Sequence, residues 1–322
     1  MHAIVVFKHG GPEVLEYSEV KDPEPGIGEL LVRPLRIGVN YIDTYYREGI
    51  YSRETPYIPG DEGAGVVVGV GTGVSEFAPG DRVAWSSAPS SYAQYVCVPA
   101  ARAVPVPDSL PDEIAASALF QGMTAHYLVN DTHRAKEGDF VLVHAGAGGV
   151  GQLLIQMCVQ QGLRVIATAS TPEKVAIAKS RGAEIVLSYE EATGTTIRRL
   201  TDGGVETVFD GVGAATFDSS LDSLRVRGTF VLYGAASGPV PPFDLQRLNS
   251  GGALSITRPS LAYFVRNREE LLERSGAVLS ALESGDLELE VGATFPLSQA
   301  AEAHRALEGR KTQGSIVLDP LS

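Results

Sequence analysis

The sequence predicts an α/β protein, with a doubly wound parallel sheet following a β-rich, barrel-like module. Three observations lead there. The first third holds short apolar runs broken by glycine and proline turns. From about Pro111 onward, strand and helix patterns alternate. At the first strand-to-helix junction stands Gly146-Ala147-Gly148-Gly149-Val150-Gly151, a Gly-x-Gly-x-x-Gly.

In chain order, Met1 to Lys8 reads as a strand. It lacks the charged region, apolar stretch and cleavage site of a signal peptide. Residues 29–34, 63–71 and 79–85 read as further strands and turns. Residues 111–131 look helical, with Gly122 near a junction. Strands are expected at 140–145, 164–169, 184–188, 205–210 and 228–233, with a sixth at 253–257. Helices are expected between them, at 149–162, 172–181, 195–201 and 215–224. The chain then changes texture. Helices at 268–283 and 298–308 precede a terminal strand at 314–318. The domain reading is 1–122 plus 259–322 for the β-rich part and 123–258 for the parallel sheet.

Composition narrows the function. The 322 residues suggest about two domains. A net charge of −13 argues against a nucleic-acid surface. No apolar run approaches the roughly 18 residues of a membrane helix. Cys97 and Cys158 are the only cysteines and read as small core hydrophobes, so a reducing cytoplasm is expected.

The glycine motif carries the chemistry. Gly146 is expected to turn tightly, Gly148 to let the backbone approach a pyrophosphate, and Gly151 to let the helix pack on its strand. Phosphates then sit at a helix N-terminus, where free N–H groups and the macrodipole favour negative charge. Gly149 and Val150 belong to the same turn. The second strand selects the dinucleotide. It ends Thr168-Ala169-Ser170-Thr171 with no acid to hold a ribose 2′-hydroxyl or to repel a 2′-phosphate. Lys174 can supply the countercharge, and NADPH is the expected cofactor. Glu173 reads as a first-turn acid behind a Thr171 cap and Pro172.

The whole chain resembles the medium-chain dehydrogenase/reductase superfamily. In its zinc alcohol dehydrogenases a Cys follows an early strand and a His sits in Gly-His-Glu. Here those stretches read Gly38-Val39-Asn40 and Gly60-Asp61-Glu62, and two cysteines cannot supply a four-cysteine structural zinc loop. No metal is therefore expected. The sequence is most similar to the zinc-free quinone oxidoreductase, or ζ-crystallin-like, branch. The motifs that carry the likeness are His9 to Leu15, Gly38 to Tyr51, Gly122-Met123-Thr124-Ala125, His144 to Gly151, and Thr257-Arg258-Pro259-Ser260.

That resemblance implies a Rossmann sheet inserted in a GroES-like β-barrel catalytic domain, with the nicotinamide in the cleft between domains. It implies NADPH-dependent reduction of a quinone by a homodimer. It places Asn40, Tyr45, Tyr51 and Arg258 in the active site. Asn40 would donate an amide N–H, the tyrosines would wall an aromatic diketone, and Arg258 would steady an oxyanion or the diphosphate. Thr124 and Tyr127 match positions near the nicotinamide and ribose. Lys174 and Tyr189 match 2′-phosphate contacts, and Arg310 a basic position reaching the cofactor. Gln121 stands where the family often has lysine. Structural roles remain open for each: Asn40 as a turn residue, the tyrosines as core, Arg258 as a salt-bridge residue and Lys174 as a surface lysine. Two other functions stay open beside quinone reduction. One is an NADPH-dependent enone, enal or enoyl-thioester reductase. The other is a non-catalytic binding protein, for which RNA is disfavoured by charge.

Overall fold

Two strands open the chain, β1 (His2–Val6) and β2 (Leu15–Glu19), paired antiparallel from His2 opposite Glu19 to Val6 opposite Leu15. The long β3 (Glu29–Val39) follows, then α1 (Tyr41–Glu48). Next come β4 (Gly63–Val70), β5 (Arg82–Trp85), β6 (Val96–Pro99) and β7 (Val104–Pro105), then the twenty-residue α2 (Asp112–Asp131). These coordinates are a computed structural model that describes residues 1–309 and 312–322.

The alternation expected after Pro111 is present in order, with one further short helix, α7, before the last strand. It comprises β8 (Phe140–Val143), α3 (Gly149–Gln160), β9 (Arg164–Thr168), α4 (Pro172–Ser180), β10 (Ile185–Leu187), α5 (Gly194–Thr201), β11 (Val205–Asp210), α6 (Phe217–Ser223), β12 (Leu224–Leu232), α7 (Gln246–Ser250) and β13 (Ser255–Thr257). The six strands form one sheet in the order β10-β9-β8-β11-β12-β13, every pair parallel. Strand order therefore reverses beside β8, and the glycine loop leaves β8 at that switch point, where ligands bind in open α/β sheets. Leu142, Ile166, Val208 and Phe230 are buried along neighbouring strands, with Phe217 and Leu221 of α6 packed on the same cluster.

The chain ends with α8 (Arg268–Ser284), β14 (Val291–Pro296), α9 (Ala300–Glu308) and β15 (Ser315–Asp319). The last two strands return to the first module. Its seven-stranded sheet runs β14-β15-β3-β4-β5-β7, with β6 also paired to β3. β15 pairs antiparallel with β3, Ile316 opposite Val39 and Leu318 opposite Ile37. Leu30, Val32 and Trp85 lie in one core of this module, and Ile37, Val39, Ile316 and Leu318 in another.

The chain divides into two compact units, Met1–Gln121 with Val265–Ser322, and Gly122–Phe264. The sequence reading ends the inserted part at 258, whereas the observed unit runs to Phe264. The Phe264 ring lies flat on Tyr127 of α2, with centroids 4.2 Å apart and planes 5° apart, which keeps this segment with the parallel sheet.

Candidate active site and cofactor loop

In the first unit the site begins where β3 gives way to α1. Asn40 is the N-cap of α1, extended at φ −123° and ψ 154°, and is buried. Its backbone N–H donates to Asp43 Oδ2 at 2.9 Å, the third-position acid reaching back to the cap. The Asn40 side chain also donates from Nδ2 to Glu62 Oε2 at 2.7 Å. One turn further along α1, Tyr45 meets Tyr51 edge to face with centroids 5.4 Å apart, and Tyr46 meets the same ring at 5.9 Å. Tyr51 is exposed and Tyr45 half-buried. Arg53 stacks its guanidinium 4.0 Å from the centre of the Tyr46 ring and grips both oxygens of Asp61 at 3.2 Å. The structure thus sets Tyr51, just past the C-terminus of α1, against Tyr45 on the helix that Asn40 caps.

Two acids behind this surface are fully buried. Burial pushes the Asp43 carboxyl up to about 7, helped by the charge of Asp61 and opposed by the Asn40 N–H, the Tyr92 hydroxyl and Arg53. Burial likewise pushes Glu62 up to about 8, against hydrogen bonds from Asn40 and the Phe120 N–H. Asp43 also accepts from the Tyr92 hydroxyl at 3.0 Å, and Tyr92 lies 3.0 Å from His304 Nε2. Arg47, wholly buried, donates to His304 Nδ1 at 3.0 Å and grips Glu308 at 2.6 and 3.2 Å. Arginine can only donate, so the His304 proton resides on Nε2 and points at Tyr92. Burial, then the charge of Arg47, push His304 down to about 3, so it stays neutral. No part of this buried network is legible as a site in the sequence, because its members lie far apart in the chain.

The second unit holds the glycine loop. The left-handed residue there is Ala145 at φ 54°, so the tight turn expected of Gly146 falls one residue earlier. Gly146 is needed for packing instead: a Cβ on it would sit 2.9 Å from Ala167 Cβ and 3.1 Å from Ile155 Cδ1. Gly151 lets α3 close on the loop, since a Cβ there would stand 2.2 Å from the Ala145 carbonyl oxygen. Gly148 differs from both. A Cβ on it meets only that carbonyl oxygen, at 3.3 Å, so the space before it is open. It is also the N-cap of α3, where no side chain caps the helix and no acid lies in the first turn. By contrast Thr171, Thr193 and Asn267 cap α4, α5 and α8. An uncapped helix start behind an open glycine, with Gly149, Val150 and Gly151 in its first turn, fits a dinucleotide phosphate.

A buried relay holds that loop. Asp210 Oδ2 accepts from Ser220 at 2.9 Å, and Ser220 Oγ lies 3.0 Å from His144 Nε2. His144 Nδ1 lies 3.1 Å from Thr168 Oγ1, which accepts the Ala145 N–H at 3.1 Å. His144 is thus held in a structural network, and burial keeps it neutral. Tyr189 lies nearly parallel to the His144 ring, 10° apart with centroids at 6.2 Å. After β9, Ser170 is exposed, Thr171 accepts the Lys174 backbone N–H at 3.3 Å, and the Thr171 hydroxyl holds Glu173 below the usual carboxylate range. Thr124 and Tyr127 are buried on α2. Burial pushes the Tyr127 phenol up, opposed by the charge of Arg258. Arg258 is exposed and belongs to this unit, whereas Asn40, Tyr45 and Tyr51 belong to the other. Gln121 is buried and accepts from Ser315 at 2.8 Å, an occupation that suits an amide. Arg310 lies outside the described residues.

Residues 26–108 match the family described as "Alcohol dehydrogenase GroES-like domain", and residues 149–273 match "Zinc-binding dehydrogenase". A quinone oxidoreductase of Pseudomonas aeruginosa is 40% identical over 97% of this chain and 97% of its own length. The chain belongs to the quinone oxidoreductase family of the medium-chain dehydrogenase/reductase superfamily. A 2-haloacrylate reductase from a Burkholderia species is 41% identical over 99% of this chain and 98% of its own. A mycobacterial protein solved in complex with NADPH superimposes with a TM-score of 0.96 at 49% identity, over 99% of this chain and all of that one. Family membership carries the Rossmann sheet and the GroES-like module with it. At the two positions that carry Cys and His in the zinc alcohol dehydrogenases, Asn40 is turned to Glu62 and Asp61 to Arg53. Among the described residues, no group of three or more His, Cys, Asp or Glu is placed to hold a metal, and no helix is long and apolar enough to cross a membrane.

Proposed function

We propose that this protein is an NADPH-dependent quinone reductase that works without zinc. The chain-long similarity to quinone oxidoreductases carries the reading. The open, uncapped start of α3 supports it independently. In this reading the unit Gly122–Phe264 binds the cofactor, and the unit Met1–Gln121 with Val265–Ser322 supplies the substrate surface. Gly146, Gly148, Gly149, Val150 and Gly151 shape the diphosphate turn. Ser170, Lys174 and Tyr189 receive the 2′-phosphate, and Thr124 and Tyr127 lie by the nicotinamide and ribose. NADPH supplies the reducing equivalents when bound. Asn40 orients the acceptor by hydrogen bonding, Tyr45 and Tyr51 give it a flat apolar wall, and Arg258 offers a fixed cation. The quinol oxygens take protons from water, so no general acid is assigned. A homodimer working in the cytoplasm completes the proposal.

The 2-haloacrylate reductase relative favours a second reading, in which the acceptor is a conjugated C=C bond. Steady-state NADPH oxidation with para-benzoquinone, with a small enone and with a 2-haloacrylate separates them. The proposal expects the highest kcat/KM with the quinone. A preference for the enone or haloacrylate would replace it with the second reading.

A further inference from the structure

Asn40 has a side chain with a donor at one end and an acceptor at the other, differing by a half-turn about one bond. Something must choose between them if Asn40 is to present a given end to a ligand. Among the described residues, the side chain that receives its Nδ2 is the carboxylate of Glu62.

Glu62 is built in. Its Oε2 receives Asn40 Nδ2 at 2.7 Å and its Oε1 receives the Phe120 backbone N–H at 2.7 Å. Phe120 lies inside α2, where an N–H normally serves the helix ladder. Gly38 makes the room, because a Cβ there would stand 2.6 Å from Glu62 Oε2 and 2.5 Å from the Ala116 carbonyl oxygen. Both partners of Glu62 are donors. A carboxylate satisfies two donors. A neutral carboxyl or an amide has a single good acceptor and would turn a hydrogen toward one of them.

We propose that Glu62 is a positioning residue, which holds the Asn40 amide with Nδ2 inward and so fixes which polar atoms Asn40 offers the acceptor. This rests on the proposed place of Asn40 in the active site. Holding an ionised carboxylate so deep is costly, which is why its titration lies near 8 rather than in the usual carboxylate range. The other charged or titratable groups around it are Asp43 on α1, the Asp61–Arg53 pair, and Tyr92 with His304 beyond it. Of these, Asp43 titrates near 7 and is the competing origin of a pH effect.

The test is a double-mutant cycle on quinone turnover at saturating NADPH, with kcat and KM measured across pH. Asn40→Ala and Glu62→Gln should each lower kcat by about tenfold or more, and the double variant should lose no more than the worse single one. Wild-type kcat should fall as pH drops through about 8. Glu62→Gln should remove that limb, and Asp43→Asn should leave it in place. Full turnover in Asn40→Ala would overturn the placement of Asn40 itself. Loss in Asn40→Ala with wild-type kcat and pH limb in Glu62→Gln would overturn the positioning role alone, as would losses that multiply in the double variant. If Glu62→Gln does not fold, the wild-type protein still decides. The chain has four asparagines, so a nitrogen-15 asparagine label resolves the Asn40 side-chain amide. One Nδ2 hydrogen should be held in a strong hydrogen bond and protected from exchange with solvent, and two freely exchanging amide hydrogens would refute the inference.

Discussion

Two glycines three residues apart in the same loop are predicted to fail in opposite ways. Gly148 adopts φ −76° and ψ 165°, a conformation open to any L-residue, and a Cβ there touches only one carbonyl oxygen at 3.3 Å. Gly148→Val should therefore fold, with a stability change within about 1 kcal/mol. Its branched side chain fills the approach to the α3 N-terminus and displaces the diphosphate. Loss of charge-assisted hydrogen bonds worth roughly 1.5–3 kcal/mol weakens NADPH binding by about tenfold to a hundredfold. Gly151 is the reverse. Alanine gains about 1 kcal/mol of helix propensity, but its Cβ would lie 2.2 Å from the Ala145 carbonyl oxygen and 3.0 Å from Gly146 Cα. Both neighbours are backbone, so the loop or helix must move, at a cost of about 1–3 kcal/mol. Urea denaturation reads the stability and fluorescence titration reads the NADPH affinity. Gly148→Val with wild-type affinity, or Gly151→Ala with wild-type stability and affinity, would refute the reasoning.

Lys174→Ala should raise the KM for NADPH by about tenfold and leave that for NADH nearly unchanged, and equal losses would remove Lys174 from the phosphate site. Tyr51→Ala and Arg258→Ala should depress turnover of a bulky quinone with NADPH affinity largely kept; wild-type turnover in both would count against the site. Asp43 and Glu62 titrate near 7 and 8 when folded, against 3.8 and 4.5 ordinarily, so the native state holds protons that the unfolded chain releases. Their neutral forms stabilise the fold fully below about pH 4, and that contribution is lost as pH rises toward 8. Thermal melts should accordingly fall in Tm between about pH 5 and 8, and a Tm that climbs over this range would contradict the assignment.

The parallel sheet was legible because its signals are local. Six apolar runs, the first four each followed by a helix pattern, sit at a regular spacing, and Gly148 opens a helix where the motif expects one. The terminal strand was read as well, and its neighbour β14 was not, since Val291 to Pro296 carries few strand signals beyond alternation. Helix α1 was missed for a physical reason. Tyr41-Ile42-Asp43-Thr44-Tyr45-Tyr46 is rich in aromatic and β-branched residues, which favour strands. The signal that could have found it is Asn40 followed three residues later by Asp43, an N-cap with a returning acid.

The rest of the site lies beyond local reading. Arg47, Asp43 and Glu62 have the polarity of surface residues, yet each is buried because a distant partner meets it. Arg47 finds Glu308 from 261 positions away, and Glu62 finds the Phe120 N–H from 58. The turn residue of the glycine loop was misplaced by one because Ala145 takes a left-handed conformation that glycine usually takes. The Ala145 N–H is held there by Thr168, which belongs to the next strand.

The central claim is that this chain reduces quinones with NADPH and needs no zinc. The direct measurement is steady-state oxidation of NADPH by para-benzoquinone, with protein dialysed against a strong chelator and its zinc content determined. The account predicts turnover that survives the chelator undiminished and exceeds that with NADH by about tenfold or more. Turnover that vanishes with the zinc and returns when zinc is added, or no oxidation of NADPH by any quinone, would contradict it.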